Sequence, residues 1–83
     1  MTTQAVNFQL RGQLAEELSS FIAENKYTQV HAAELLGVTQ PRISNLIRRK
    51  LELFTIDMLV SMLARVGYRV DINMQRTLTE TLN

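Results

Sequence analysis

No cysteine occurs among the 83 residues. Disulfides and thiolate metal sites are therefore excluded, and a reducing cytoplasm is the natural compartment. There is one histidine, His31. Without a second imidazole or a thiol it can build neither a metal site nor a catalytic relay, so it reads as a surface side chain beside Glu34. Glu16 and Glu17 are adjacent on a helix and do not face one another as an acid–base pair must. No metal, no cofactor and no enzymatic activity are expected. Long apolar runs are missing as well: nothing approaches the ~18 residues that span a membrane. The opening MTTQAVNFQL lacks the charged start and apolar stretch of a signal peptide. No low-complexity tract or linker divides the chain, so residues 1–83 are expected to form a single soluble domain. A chain this short buries only about 60% of its unfolded surface and gains from oligomerisation.

Net charge is also small, +1 at pH 7, but its distribution is uneven. Residues 1–37 carry minus two, residues 38–50 plus four and residues 51–83 minus one. The segment GVTQPRISNLIRRK, residues 37–50, holds four of the nine basic residues and no acidic one. Such a local positive field suits an anionic partner docking at one place. As a membrane anchor, Arg48, Arg49 and Lys50 are too few.

Periodicity supplies the setting. Leu10, Leu14, Leu18, Phe21 and Ile22 recur at helical spacing and predict an amphipathic helix over about 9–25, its first turns weakened by Gly12. Thr28 is placed to cap a second helix, about 29–36, which buries some combination of Ala32, Ala33, Leu35 and Leu36 and stops at Gly37. Thr39 caps a third helix, with Pro41 in its first turn and Ile43, Leu46 and Ile47 as its inward stripe. Thr55 caps a fourth, whose apolar positions are Ile56, Leu59, Val60, Leu63 and Val66. Asp57 complements its dipole, Met58 and Met62 fill the core or a dimer contact, and Gly67 ends it. The period then becomes two: Tyr68, Val70, Ile72 and Met74 alternate with polar residues, predicting a strand over about 68–75. The tail RTLTETLN carries no strong signal. A lone strand needs a partner. Either VNFQL near the N-terminus pairs with it, or two chains pair these strands across a two-fold axis, making Tyr68, Val70, Ile72 and Met74 a dimer interface. The second arrangement is preferred.

Residues 28–49 have the makings of a helix-turn-helix. Ala33 is the small residue where the two helices meet, Gly37 four residues later tolerates the turn, and Ile43 six residues beyond pins the second helix. These three at this spacing between two N-caps form a specific pattern. The run TQVHAAELLGVTQPRISNL resembles the XRE family of helix-turn-helix proteins, which includes the phage Cro and cI repressors. The longer run over residues 28–72 is similar to a branch of small XRE-type antitoxins, related to HigA and encoded beside RelE- or HigB-like toxins. The resemblance implies a mostly α, lambda-repressor-like bundle of four to five helices, a homodimer, and repression of the protein's own operon. A toxin partner would cover either the N-terminal helix or the outer surface of the C-terminal region. Without a toxin partner, a stand-alone phage-type repressor would share the DNA chemistry. A protein-interaction adaptor whose helix-turn-helix no longer reads DNA is an alternative of another class. The branch usually places glycine where this chain has Arg49, which predicts an added phosphate contact.

Residues 39–50 can be assigned roles from the chemistry of the major groove. Gln40, Pro41, Ser44, Asn45 and Arg48 share one face of the third helix. Gln40 and Asn45 are suited to adenine, Ser44 to several bases, and Arg42 to guanine. Thr39, Arg48, Arg49 and Lys50 are expected at phosphates, as is Gln29 at the start of the preceding helix. A dimer would present two such helices to a pseudo-palindromic operator, about 34–36 Å apart.

Overall fold

Four threonines start the four α-helices of the computed structural model, which describes residues 2–76. The helices are α1 (Thr3–Glu24), α2 (Gln29–Leu36), α3 (Gln40–Ile47) and α4 (Ile56–Arg65). A 3-10 helix, Leu51–Leu53, lies between the last two. The hydroxyls of Thr2, Thr28, Thr39 and Thr55 accept from the amides of Ala5, His31, Arg42 and Met58, at 3.1, 3.1, 3.3 and 3.1 Å. Each bond satisfies one amide that the first helical turn leaves unpaired.

The helices end as uniformly as they begin. Lys26, Gly37, Arg49 and Gly67 have φ of 56°, 70°, 59° and 89°. Beyond each, an amide reaches back to a late helical carbonyl: Tyr27 to Ile22, Val38 to Ala33, Lys50 to Asn45 and Tyr68 to Leu63, at 3.0–3.1 Å. This left-handed ending pairs orphan carbonyls and is easiest for glycine. Two of the four positions use a residue with a Cβ.

The core draws on every element. Ala15, Leu18 and Ile22 of α1 meet Leu59, Met62 and Leu63 of α4, while Ala32, Ala33 and Leu36 of α2 meet Ile43 and Leu46 of α3. Leu51 and Phe54, from the link before α4, close the cluster. Phe54 is 1% exposed and is among the largest fully buried side chains, although nothing in its surroundings KLELF marks it as central. Leu14, Phe21, Val66 and Tyr68 pack around the rim.

Several expectations are corrected. The first helix begins at Thr3, not near residue 9, because the Thr2 cap starts it and Gly12 is accommodated within it. VNFQL is therefore helical and cannot pair as a strand. Its residues Val6, Phe8 and Leu10 are exposed on turns that precede the core-forming part of α1. Ala15 is buried on α1, whereas Leu10 is not. On α3, Ile47 is 40% exposed and stands outside the inward stripe, which Ile43 and Leu46 form alone. Leu35 is only half-buried on α2, and so are Ile56 and Val60 on α4. No strand occurs among the described residues: 68–76 adopt no regular structure, and 69–76 make no backbone hydrogen bond with one another or with the rest of the described chain. A strand exists only as part of a ladder, and with the N-terminus helical the described residues have no second strand to offer. The tail after residue 76 lies outside the described residues.

Candidate nucleic-acid interface

The helix-turn-helix is formed by α2 and α3 with the turn at Gly37 between them. Ala33 is 6% exposed at the α2–α3 contact, and Gly37 makes the left-handed turn. The turn is braced from α4: Arg65 Nε donates to the Leu35 carbonyl at 3.3 Å, adding a cation near the C-terminus of α2. Ile43 and Leu46, both 0% exposed, fix the roll of α3 about its axis. With that face held, Gln40, Pro41 and Arg48 are exposed, and Ser44 and Asn45 are half-buried. These residues form the outward face of α3, with its N-terminal end uncovered. A helix in the major groove presents just that end to base edges.

The flanking residues divide in a way the sequence does not suggest. Thr39 spends its hydroxyl on the cap. Gln29 is the first residue of α2 and is half-buried beside the exposed Thr28 cap. Arg42 turns away from the outward face: its Nη1 donates to the Leu53 carbonyl at 3.1 Å, and its guanidinium lies 5.6 Å from the Phe54 ring centroid. To reach a guanine it would have to leave both. Arg49 turns back to α1, where its guanidinium pairs with Glu16, donates to the Ser19 hydroxyl and approaches the Leu46 carbonyl at 3.4 Å. Ion pairs among the described residues are Arg49–Glu16 and Arg69–Asp71. Arg42, Arg48 and Lys50 are in neither. The positive field next to α3 is thus carried by Arg48 and Lys50, supported by Arg42, with no carboxylate on the segment to cancel it.

Arg11 belongs to this architecture and was not singled out by any sequence signal. Its Nη1 donates to the carbonyls of Leu51 at 2.9 Å and Phe54 at 3.1 Å, tying α1 to the link that follows α3. Tyr68 is likewise used within the chain. Its hydroxyl donates to Glu17 Oε2 at 3.2 Å and its ring meets Phe21 edge-on at 6.0 Å. Of the four residues expected at a dimer interface, Val70, Ile72 and Met74 remain exposed, at 37%, 85% and 86%. His31 is exposed and packs edge-on against Tyr27 at 4.7 Å. No group of acidic or histidine side chains suited to a metal occurs among the described residues.

A family model described as a helix-turn-helix domain matches residues 1–75. A solved structure of an XRE-family transcriptional regulator superposes with a TM-score of 0.82 at 31% identity, over 89% of this chain and 83% of that one. The chain belongs to the XRE family of helix-turn-helix transcriptional regulators. Comparison with curated protein sequences yields no match. For an XRE-family regulator the functional chemistry is DNA binding and not catalysis. None of the described helices of this regulator is long and apolar enough to cross a membrane.

Proposed function

We propose that this XRE-family regulator is a homodimeric repressor that reads a pseudo-palindromic operator with α3 and controls its own operon as the antitoxin of a toxin–antitoxin pair. The observation that carries the DNA-reading part is the outward face of α3. Gln40, Ser44 and Asn45 lie on that face, with Arg48 and Lys50 beside them free of any carboxylate partner among the described residues. Base readers and phosphate binders are thus adjacent on one surface.

The dimer is supported by residues 68–75. This segment alternates apolar and polar side chains, and the backbone of 69–75 makes no hydrogen bond among the described residues, so an identical segment could pair with it. The antitoxin role rests on the similarity of residues 28–72 to small antitoxins. The exposed Val6, Phe8 and Leu10 of α1 are compatible with a protein partner.

A mobility shift with the DNA upstream of the gene tests the reading. Gln40→Ala and Asn45→Ala should each cost about 1–3 kcal/mol on that DNA and little on random DNA. Equal losses on both DNAs would reject these residues as base readers. Absence of salt-sensitive, sequence-specific binding would reject the repressor and favour an adaptor. Co-purification of the product of a neighbouring short gene separates an antitoxin from a stand-alone repressor.

A further inference from the structure

The side chain of Arg49 stands out from the basic cluster by what it touches. It sits one residue past the C-cap of α3, at φ 59°, a conformation that favours glycine. Its guanidinium leaves the basic surface and meets Glu16 and Ser19, which lie three apart on one side of α1. It also approaches the carbonyl of Leu46, inside its own helix. One side chain thus connects the end of α3 to the middle of α1 by two polar contacts, and its charge is matched by Glu16. From this geometry we infer that Arg49 is a positioning residue, a clasp that sets the angle of the recognition helix on α1, and that it does not hold DNA.

The physical argument has two parts. Ile43 and Leu46 fix the roll of α3 through packing, but both lie on one stripe, and non-directional packing does not by itself oppose a pivot about that stripe. A forked guanidinium bonded to a carboxylate and a hydroxyl on another helix restricts that pivot directionally. Second, a phosphate would have to displace Glu16 from Arg49, whereas Arg48 and Lys50 have no carboxylate partner among the described residues. The pair is partly exposed, with side chains 36% and 66% accessible. Its effect on folding is accordingly small, and its consequence falls on the alignment of Gln40, Ser44 and Asn45.

This inference rests on the DNA-reading proposal above, and its test separates the two. The charge-balanced double variant Glu16→Gln/Arg49→Gly removes the clasp while giving the left-handed position the residue it favours. Operator affinity should fall about two- to fivefold. Affinity for random DNA and its salt dependence should stay at the parental values. Exchanging the charges, Glu16→Arg with Arg49→Glu, should recover operator preference relative to either single change.

A decrease of about one in the salt slope on loss of Arg49, the signature of a lost phosphate contact, would overturn the inference. An unchanged operator-to-random ratio in the double variant would also overturn it. If the parent protein showed no operator preference, the DNA-reading proposal would fail. The clasp would still be judged by whether the thermal shifts of Glu16→Gln and Arg49→Gly are non-additive.

Discussion

At the scale of single residues, Gly37 carries more constraint than its size suggests. Its φ of 70° already disfavours any side chain, and a Cβ there would stand 2.6 Å from Arg65 Nε. Alanine would have to adopt the left-handed conformation and push Arg65 off the Leu35 carbonyl. Gly37→Ala should therefore destabilise the fold by at least about 1–2 kcal/mol, which thermal unfolding would register as a fall of several degrees. Gly12 predicts the opposite. It lies within α1, and an added Cβ meets only Leu51 Cδ1 at an ordinary 3.7 Å. Gly12→Ala should raise stability by about 0.5–1 kcal/mol in the same measurement, since alanine loses less backbone freedom on folding. A loss on Gly12→Ala would mean that the α1–link contact is tighter than this separation implies.

At the scale of elements, α3, the proposed recognition helix, has only eight residues. So short a helix is unstable alone in water and must be held by its neighbours. Its start is held by the Thr39 cap and by Pro41, its inner face by Ile43 and Leu46, and its C-terminal end by the left-handed Arg49. In the link that follows, Arg11 gives a charged donor from α1 to the Phe54 carbonyl and to the Leu51 carbonyl, which also accepts from the Phe54 amide. Replacing Arg11 by methionine keeps much of the apolar stem and removes both hydrogen bonds. The expected loss is about 1–3 kcal/mol in denaturant unfolding. Because Arg11 lies on α1, away from the outward face of α3, operator preference per folded molecule should be retained. A selective loss of operator binding without loss of stability would instead assign Arg11 to the DNA.

At the scale of the whole molecule, the segment after α4 connects folding to assembly. Tyr68 anchors it to α1. Burial raises the pKa of its hydroxyl above the ordinary 10.0, and Glu17, by hydrogen bond and charge, and then Glu24 push in the same direction. The folded state thus keeps its phenolic proton to higher pH than the unfolded chain does. The contribution is fully present below 10.0 and is lost as pH rises through the folded value. Tyr68→Phe should blunt the alkaline loss of stability in denaturant titrations above that pH and leave the ring packing in place. Beyond Tyr68 the exposed Ile72 and Met74 offer the apolar side of the proposed inter-chain ladder. Sedimentation at micromolar concentration should find a dimer in the parent, and Ile72→Lys should shift it towards monomer. A monomeric parent would remove the dimer proposal.

What could be read from sequence in this protein is what neighbouring residues decide among themselves. Thr28, Thr39 and Thr55 as caps, Pro41 in a first turn, Gly37 as the turn and the span of α2 all depend on contacts within a few positions. The helix-turn-helix, and with it the outward placement of Gln40 and Ser44, follows from those local choices and one apolar stripe. The early start of α1 was obscured because VNFQL alternates like a strand, and only the Thr2 cap and helical propagation resolve it. The destinations of the arginines depended on tertiary structure. Arg11, Arg42 and Arg49 reach acceptors 11 to 43 positions away, at Leu51, Phe54, Leu53, Glu16 and Ser19. A long cationic side chain binds whichever acceptor the fold brings within reach, and nothing in its own neighbourhood names that acceptor. The same reason leaves residues 68–75 without a ladder here: alternation makes a strand possible, but only a second strand in space makes it one.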